Sequence, residues 1–158
     1  MSLTVHVVVA ADPVTSWVRW TDFGTWGEWN PACVSAEIDG LLQPGTRLRL
    51  QLRHPHGRVF WTAPRVTRAE PGEEIAWETR AFGFRAPTAV TFAEHDGGTL
   101  VTLTSEVRWV LAFTYRMTFP EKAQGLLWSG ALTGFATHVR DVPSARADGP
   151  LGQDRCRR

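Results

Sequence analysis

The chain has 158 residues, of which 43% are hydrophobic and 21% charged, values typical of one soluble globular domain. This composition excludes an intrinsically disordered chain, a collagen and a disulfide scaffold. The net charge is +1, and no run of Lys or Arg stands out, so nucleic acid is not an expected partner. Eight tryptophans accompany a single tyrosine, which indicates that large, rigid apolar groups are buried or line a site.

The sequence predicts a cytoplasmic protein with reduced thiols. No stretch approaches the roughly 20 apolar residues of a membrane helix, so no membrane partner is expected. The N-terminal residues lack the basic start and the cleavage site of a signal peptide. Cys33 and Cys156 have no metal-ligand spacing, and His54 and His56 lack a third ligand nearby. We therefore expect neither a metal nor a cofactor.

The N-terminal segment predicts a strand followed by two short helices. Residues 3–9 alternate between apolar and polar side chains, which indicates a strand with one buried face. Asp12 is suited to cap a helix whose first position is Pro13. The predicted apolar face of this helix consists of Val14, Trp17, Val18 and Thr21. A second short helix is predicted from Thr25 to the break before Pro31.

About six antiparallel strands are predicted next, because side chains alternate with a period of two up to Trp109. Turn chemistry interrupts the alternation at residues 43–45, 54–57, 70–72 and 96–98. Residues 58–69 predict one long strand that Pro64 bends or confines to an edge. The Asp-Gly-Gly sequence at 96–98 predicts a tight hairpin.

The last predicted element is one long helix. Apolar residues recur at helical spacing over 121–142, and prolines stand at both ends of this stretch. The sequence thus predicts an α+β domain over residues 1–143. In it, a curved antiparallel sheet of six to seven strands wraps around the C-terminal helix, with two short helices after strand 1. Residues 144–158 are small, polar and charged, and we expect this tail to be disordered.

Several local sequences resemble the helix-grip fold of the START-like superfamily, also called SRPBCC. The matching segments are residues 12–17, 21–31 (TDFGTWGEWNP), 44–48 (PGTRL), 66–77 and 96–102 (DGGTLVT). Their order and spacing resemble the polyketide cyclase/dehydrase-like branch over about residues 3–142. The resemblance implies a cavity between the sheet and the C-terminal helix. Members of this branch range from aromatic-ring-forming cyclases to binders of lipids and hormones.

The parity of each strand predicts which side chains would face such a cavity. The inward side chains are mostly apolar, with a few hydroxyls, which suits an aromatic, polyketide-like or acyl ligand. The predicted ligand-binding residues are Leu50, Phe60, Thr62, Trp77, Thr79, Val90, Phe92, Leu103, Ser105, Trp128, Leu132 and Phe135. The favoured function is therefore binding of a small hydrophobic ligand by a monomer or homodimer.

Two other functions stay open on the sequence. A polyketide cyclase, aromatase or dehydratase would need a proton shuttle, for which His54, Arg68 and Tyr115 are the candidates. The competing interpretation makes His54 a solvated turn residue, Arg68 a surface charge and Tyr115 a residue of the cavity rim. A protein-interaction role, as in the heat-shock-protein ATPase activators that share the fold, would instead require a large exposed apolar patch.

Three glycines within the predicted C-terminal helix also need an explanation. Gly125, Gly130 and Gly134 each cost up to about 1 kcal/mol relative to alanine in a helix. Close approach of the sheet to the helix is the favoured explanation. Close approach of a ligand or partner is the alternative.

Overall fold

The computed structural model of the chain describes residues 2–81, 83–109 and 121–141, so the tail predicted at 144–158 lies outside the described residues. The described helices are α1 (Pro13–Thr21), α2 (Trp26–Trp29) and α3 (Glu121–Asp141), with a 3-10 turn at Phe23–Thr25. The described strands are β1 (Ser2–Val9), β2 (Cys33–Ile38), β3 (Leu48–Arg53), β4 (Val59–Thr62), β5 (Arg65–Glu70), β6 (Glu74–Ala81), β7 (Phe84–His95), β8 (Gly98–Glu106) and β9 (Arg108–Trp109). The predicted α+β class and the order of the elements are confirmed.

The antiparallel strands form one curved surface. Strands β1-β8-β7-β6-β5 lie side by side in that order, β9 pairs with β7, and β2-β3-β4 form a second group. The two groups join at Pro64, where the Leu48 amide donates to the Pro64 carbonyl at 2.8 Å. Arg47 pairs with Arg65 in the same register as Leu50 with Thr62. Strands β4 and β5 are therefore one long strand bent at Pro64, as the alternation over residues 58–69 predicts.

The predicted hairpin at residues 96–98 joins β7 to β8. Asp96 and Gly97 have φ angles of 46° and 79°, the left-handed conformation that tight two-residue hairpin turns require. Gly98 lies against the backbone of β1, where an added Cβ would overlap the carbonyl oxygen of Val9. Glycine at this position thus lets β1 pair closely with the start of β8.

Helix α1 begins as predicted but buries a different face. The Asp12 carboxylate accepts a hydrogen bond from the Thr15 amide at 2.9 Å, which caps the helix. Val14 and Val18, predicted to be buried, are 59% and 54% exposed, and Ser16 and Trp20 are buried instead. The physical reason is that the Trp20 indole buries far more apolar surface than a valine, and Ser16 lies one turn before it on the same face.

Loss of this cap gives a first prediction. Asp12→Ala is expected to lower the free energy of unfolding by about 1 kcal/mol in urea titrations at neutral pH. Hydrogen bonds from Thr15 hold the pKa of Asp12 below its ordinary value of 3.8. The folded state therefore favours the carboxylate, so the difference between wild type and variant should shrink as the pH falls through that lowered pKa. Asp22→Ala is the control, because Asp22 makes no side-chain capping bond to the 3-10 turn that follows it; an equal loss in both variants would contradict the capping role.

Helix α3 covers the concave side of the sheet. Its buried apolar side chains follow helical spacing; they are Ala123, Leu127, Ala131, Leu132, Phe135 and Val139. An added Cβ on Gly134 would lie 3.0 Å from the carbonyl carbon of Trp29 and overlap its oxygen, and one on Gly130 would lie 3.4 Å from Pro31. The closest neighbours of these two glycines are thus the last residue of α2 and Pro31 just after it, and not the sheet as expected. Gly125 does face the sheet, with Leu3 4.0 Å from its added Cβ.

Candidate ligand-binding site

Buried aromatic rings fill one end of the space between the sheet and α3. The ring of Trp20 lies 5.7 Å from Trp26, 5.2 Å from Trp29 and 4.9 Å from Phe135, measured between centroids. These four residues come from α1, α2 and α3, and we call them the aromatic cluster. The indole of Trp26 also donates to the Trp20 carbonyl at 2.7 Å. The cluster closes this end of the space and fixes the short helices against α3.

Trp77 on β6 extends the aromatic contacts toward the other end. Its ring centroid lies 6.2 Å from that of Trp26 and 6.2 Å from that of Trp128 on α3. Trp77 is buried, whereas Trp128 is only half-buried. The burial of the aromatic side chains therefore decreases from the aromatic cluster toward Trp128.

The predicted ligand-binding residues divide by burial. Half of them are buried in the packed core: Leu50, Val90, Phe92, Leu103, Leu132 and Phe135. Four others are half-buried, namely Phe60, Thr62, Thr79 and Trp128. The remaining two, Trp77 and Ser105, are buried beside this half-buried group. Eight of the twelve predicted residues are therefore buried, and four remain partly exposed.

A pair of buried hydroxyls lies in the sheet beside Trp77. Thr88 pairs with Trp77 on one side and Ser105 on the other. The two hydroxyl oxygens are 3.1 Å apart, and both residues are 5% exposed. Two hydroxyls carry two hydrogens and their mutual bond uses one, and no second hydrogen bond joins either hydroxyl to a described residue. The pair can therefore donate one hydrogen bond to an acceptor within an otherwise apolar wall.

The described part of the chain does not bring the catalytic candidates together. His54 lies in the β3–β4 turn, where its Nδ1 accepts from the His56 amide at 3.2 Å. It borders an open groove of about 260 Å³ that Leu126 also lines. A bulge between Val66 and Arg68 moves Arg68 off the inward row, so its guanidinium is exposed and bonded to Glu74 at 2.8 Å. Tyr115 lies outside the described residues.

A second open groove runs between β1 and α3. It has a volume of about 290 Å³ and is lined by Thr4, Val5, His6, Val7, Ser129, Leu132 and Thr133. Among these, only Leu132 belongs to the predicted ligand-binding residues. This groove is therefore separate from the inward face beside Trp77.

Within the described part of the chain, no group of three or more His, Cys, Asp or Glu is placed to hold a metal ion. No described helix is long and apolar enough to cross a membrane.

Cys33 is buried at the start of β2, and burial raises the pKa of its thiol to about 11. This favours the inert structural role over that of a nucleophile.

The Cys33 thiol should therefore react slowly while the protein is folded. In a Cys156→Ser background at pH 8, reaction with Ellman's reagent is expected to be about 100-fold slower for the native protein than in denaturant, since two pKa units separate the thiols. Because the raised pKa favours the neutral thiol, stability should fall as the pH rises from about 9 toward 11. Native and unfolded rates within tenfold of each other would show that Cys33 is accessible.

The antiparallel sheet, the C-terminal helix that covers it and the two short helices after β1 define a START-like helix-grip domain. Three solved structures share this fold. A protein from Thermus thermophilus has a TM-score of 0.77 and 15% identity, covering 91% of this chain and 100% of that one. A START superfamily protein from Mycobacterium smegmatis has a TM-score of 0.72 and 18% identity, with 89% and 97% covered. The di-domain ARO/CYC BexL from the BE-7585A biosynthetic pathway has a TM-score of 0.75 and 18% identity, with 90% and 51% covered.

The family is established by the sequence. The chain belongs to the family described as Polyketide cyclase / dehydrase and lipid transport, which it matches over residues 1–140. The resemblance stated from the local motifs is thereby confirmed. The chain spans about half the length of the di-domain BexL. No curated protein matches the sequence.

Proposed function

We propose that this protein binds a small hydrophobic ligand, aromatic, polyketide-like or acyl, at the half-buried end of the space between the sheet and α3. The observation that carries the proposal is that Phe60, Thr62, Thr79 and Trp128 are only half-buried, whereas the aromatic cluster is buried. Half-buried apolar side chains on a concave surface gain free energy when a ligand covers them, about 2–3 kcal/mol for one aromatic ring.

The hydroxyl pair gives the proposed site a preference among hydrophobic ligands. A carbonyl or other acceptor oxygen of the ligand would accept a hydrogen bond from the hydroxyl of Thr88 or Ser105. Such a bond contributes about 0.5–1.5 kcal/mol, because the second hydroxyl hydrogen of the pair otherwise has no acceptor in the apolar wall. The family description and the ARO/CYC relative support a ligand of this chemical class.

A matched pair of ligands tests the proposal. We expect 2-acetylnaphthalene to quench or shift the intrinsic tryptophan fluorescence and to bind about three- to tenfold more tightly than 2-ethylnaphthalene, which lacks an acceptor. In a Thr88→Val/Ser105→Ala variant the preference should disappear, while the affinity for 2-ethylnaphthalene is retained. The binding proposal is overturned if neither compound, nor a panel of short acyl and polyketide-like ligands, changes the fluorescence. If the variant still prefers 2-acetylnaphthalene over 2-ethylnaphthalene, the hydroxyl pair does not contact the ligand.

A further inference from the structure

The basic side chains of this protein are concentrated in one segment. Residues 40–69 contain six Arg and no Asp or Glu, a charge of +6. The other 128 residues hold eleven basic and sixteen acidic side chains, a charge of −5. No two of the six Arg are adjacent in sequence, so the near-neutral total and the absence of a basic run conceal this asymmetry.

The fold places four of these arginines on one surface. Leu48, Leu50 and Leu52 point into the core, so the alternate residues of β3 point outward. The register pairs Arg53 with Val59, Gln51 with Trp61 and Arg47 with Arg65. The outer surface of β3 and of the bent strand β4–β5 therefore presents Arg47, Arg49, Arg53 and Arg65 around Trp61, and we call this surface the arginine face.

The charge of the arginine face is only partly neutralised. Arg49 contacts Glu37 at 3.2 Å and Asp39 at 2.8 Å. Arg47, Arg53 and Arg65 form no ion pair with any described residue, and Arg47 and Arg65 are cross-strand neighbours of like charge. On its other side Arg65 has Glu78 of β6 as its cross-strand neighbour, and its guanidinium donates to the Gly45 carbonyl at 3.0 Å. Unpaired like charges side by side oppose folding, so an external anionic group would relieve them.

Trp61 is the apolar centre of the arginine face. It is 66% exposed, and it is the one aromatic among the exposed large hydrophobic side chains of the described residues. A surface that carries an exposed indole and several arginines has the composition of a protein–protein hot spot, where Trp and Arg are among the most enriched residue types. Guanidinium groups also bind carboxylates in a bidentate geometry.

We propose that the arginine face docks a partner protein whose surface is acidic and carries an apolar side chain that packs on Trp61. The charge complements acidic groups, and the outer face of a sheet can pack against a helix. Two other anionic partners fit less well. Single-stranded nucleic acids stack successive bases on several aromatic side chains, and membrane-surface proteins insert apolar groups below the headgroups, for which a mid-strand tryptophan between arginines is poorly placed.

Fluorescence anisotropy with a defined probe tests this docking surface. The probe is a fluorescein-labelled amphipathic helical peptide with a Leu stripe flanked by Glu, and its control replaces every Glu by Gln. We expect saturable binding of the Glu peptide that weakens as ionic strength rises, and at least tenfold weaker binding of the Gln peptide. Trp61→Ala and Arg47→Gln/Arg53→Gln should each weaken binding about tenfold or more.

Matched controls test whether peptide binding depends on the arginine face or on any exposed arginine or apolar side chain. Arg108→Gln/Arg140→Gln removes two exposed arginines elsewhere, and Leu126→Ala removes another exposed apolar side chain. Both should bind the Glu peptide within twofold of wild type. The proposal is overturned if binding does not saturate by about 1 mM, or if the control variants lose as much affinity as the face variants. Tighter binding of a single-stranded oligonucleotide or of phosphatidylglycerol vesicles, with the same dependence on Trp61 and Arg53, would also overturn it and reassign the face to that partner.

Discussion

Replacing Gly134 with alanine is expected to lower the free energy of unfolding by about 3 kcal/mol, at the upper end of the cost of overpacking. The added methyl group would overlap the carbonyl oxygen of Trp29. A backbone carbonyl cannot rotate away as a side chain can, so α3 must move away from the end of α2. That movement would disturb the aromatic cluster, because Trp29 and Phe135 pack there with centroids 5.1 Å apart. The expected fall in Tm is roughly 6–12 °C for a domain of this size.

Gly125→Ala in the same helix is the matched control for this prediction. Its added Cβ would meet only a side-chain carbon of Leu3, at 4.0 Å. The gain in helix propensity, up to about 1 kcal/mol, should therefore appear as unchanged or higher stability. Thermal melts monitored by circular dichroism compare the two variants. If they melt within two or three degrees of each other, the close contact at Gly134 is not a determinant of stability.

The second large effect is expected on ligand binding. Trp128→Ala should weaken binding of 2-acetylnaphthalene by about 10- to 30-fold, because the indole is the largest half-buried surface of the proposed site. Its loss should cost less stability than the loss of buried Trp77, since Trp128 is already partly in water. Titration by isothermal calorimetry measures this affinity without relying on the fluorescence of the removed tryptophan.

Trp61→Ala is the control for Trp128→Ala, because Trp61 is a tryptophan on the outer surface of the sheet. We expect it to bind 2-acetylnaphthalene as wild type does. Equal affinity of the Trp128→Ala variant and wild type would place the ligand elsewhere. Equal losses in both variants would indicate nonspecific binding to exposed indoles.

The fold could be predicted from the sequence where local chemistry determines it. Asp12 and Pro13 mark the start of α1, and Asp96-Gly97 supplies the two left-handed residues of the hairpin. The buried face of α1 could not be predicted in this way, because apolar periodicity counts Val14 and Val18 but does not weigh the larger area of Trp20. The bulge that turns Arg68 outward is also invisible to strict alternation, since one additional residue reverses the parity.

Strand alternation predicts which side chains of the candidate site are buried, but not which of them stay accessible. Strand parity indicates which side chains face α3, and Leu50, Trp77 and Ser105 are buried as that parity requires. Which of these positions are open to a ligand depends on how far Trp20 and Trp26 reach from separate helices. No spacing within one strand carries that information. The pairing of Thr88 with Ser105 likewise depends on the register between β7 and β8, which the sequence pattern of one strand does not determine.

The aromatic cluster has a consequence for selectivity by size. In the proposed binding mode a ligand that enters beside Trp128 meets Trp77 and then the closed end formed by Trp20 and Trp26. The protein should therefore discriminate between ligands by length and bind compact ring systems and short acyl chains. A long fatty chain would leave its distal carbons in water. Each methylene beyond the length that reaches the aromatic cluster should therefore add almost nothing to the binding free energy, whereas a buried methylene usually adds about 0.8 kcal/mol.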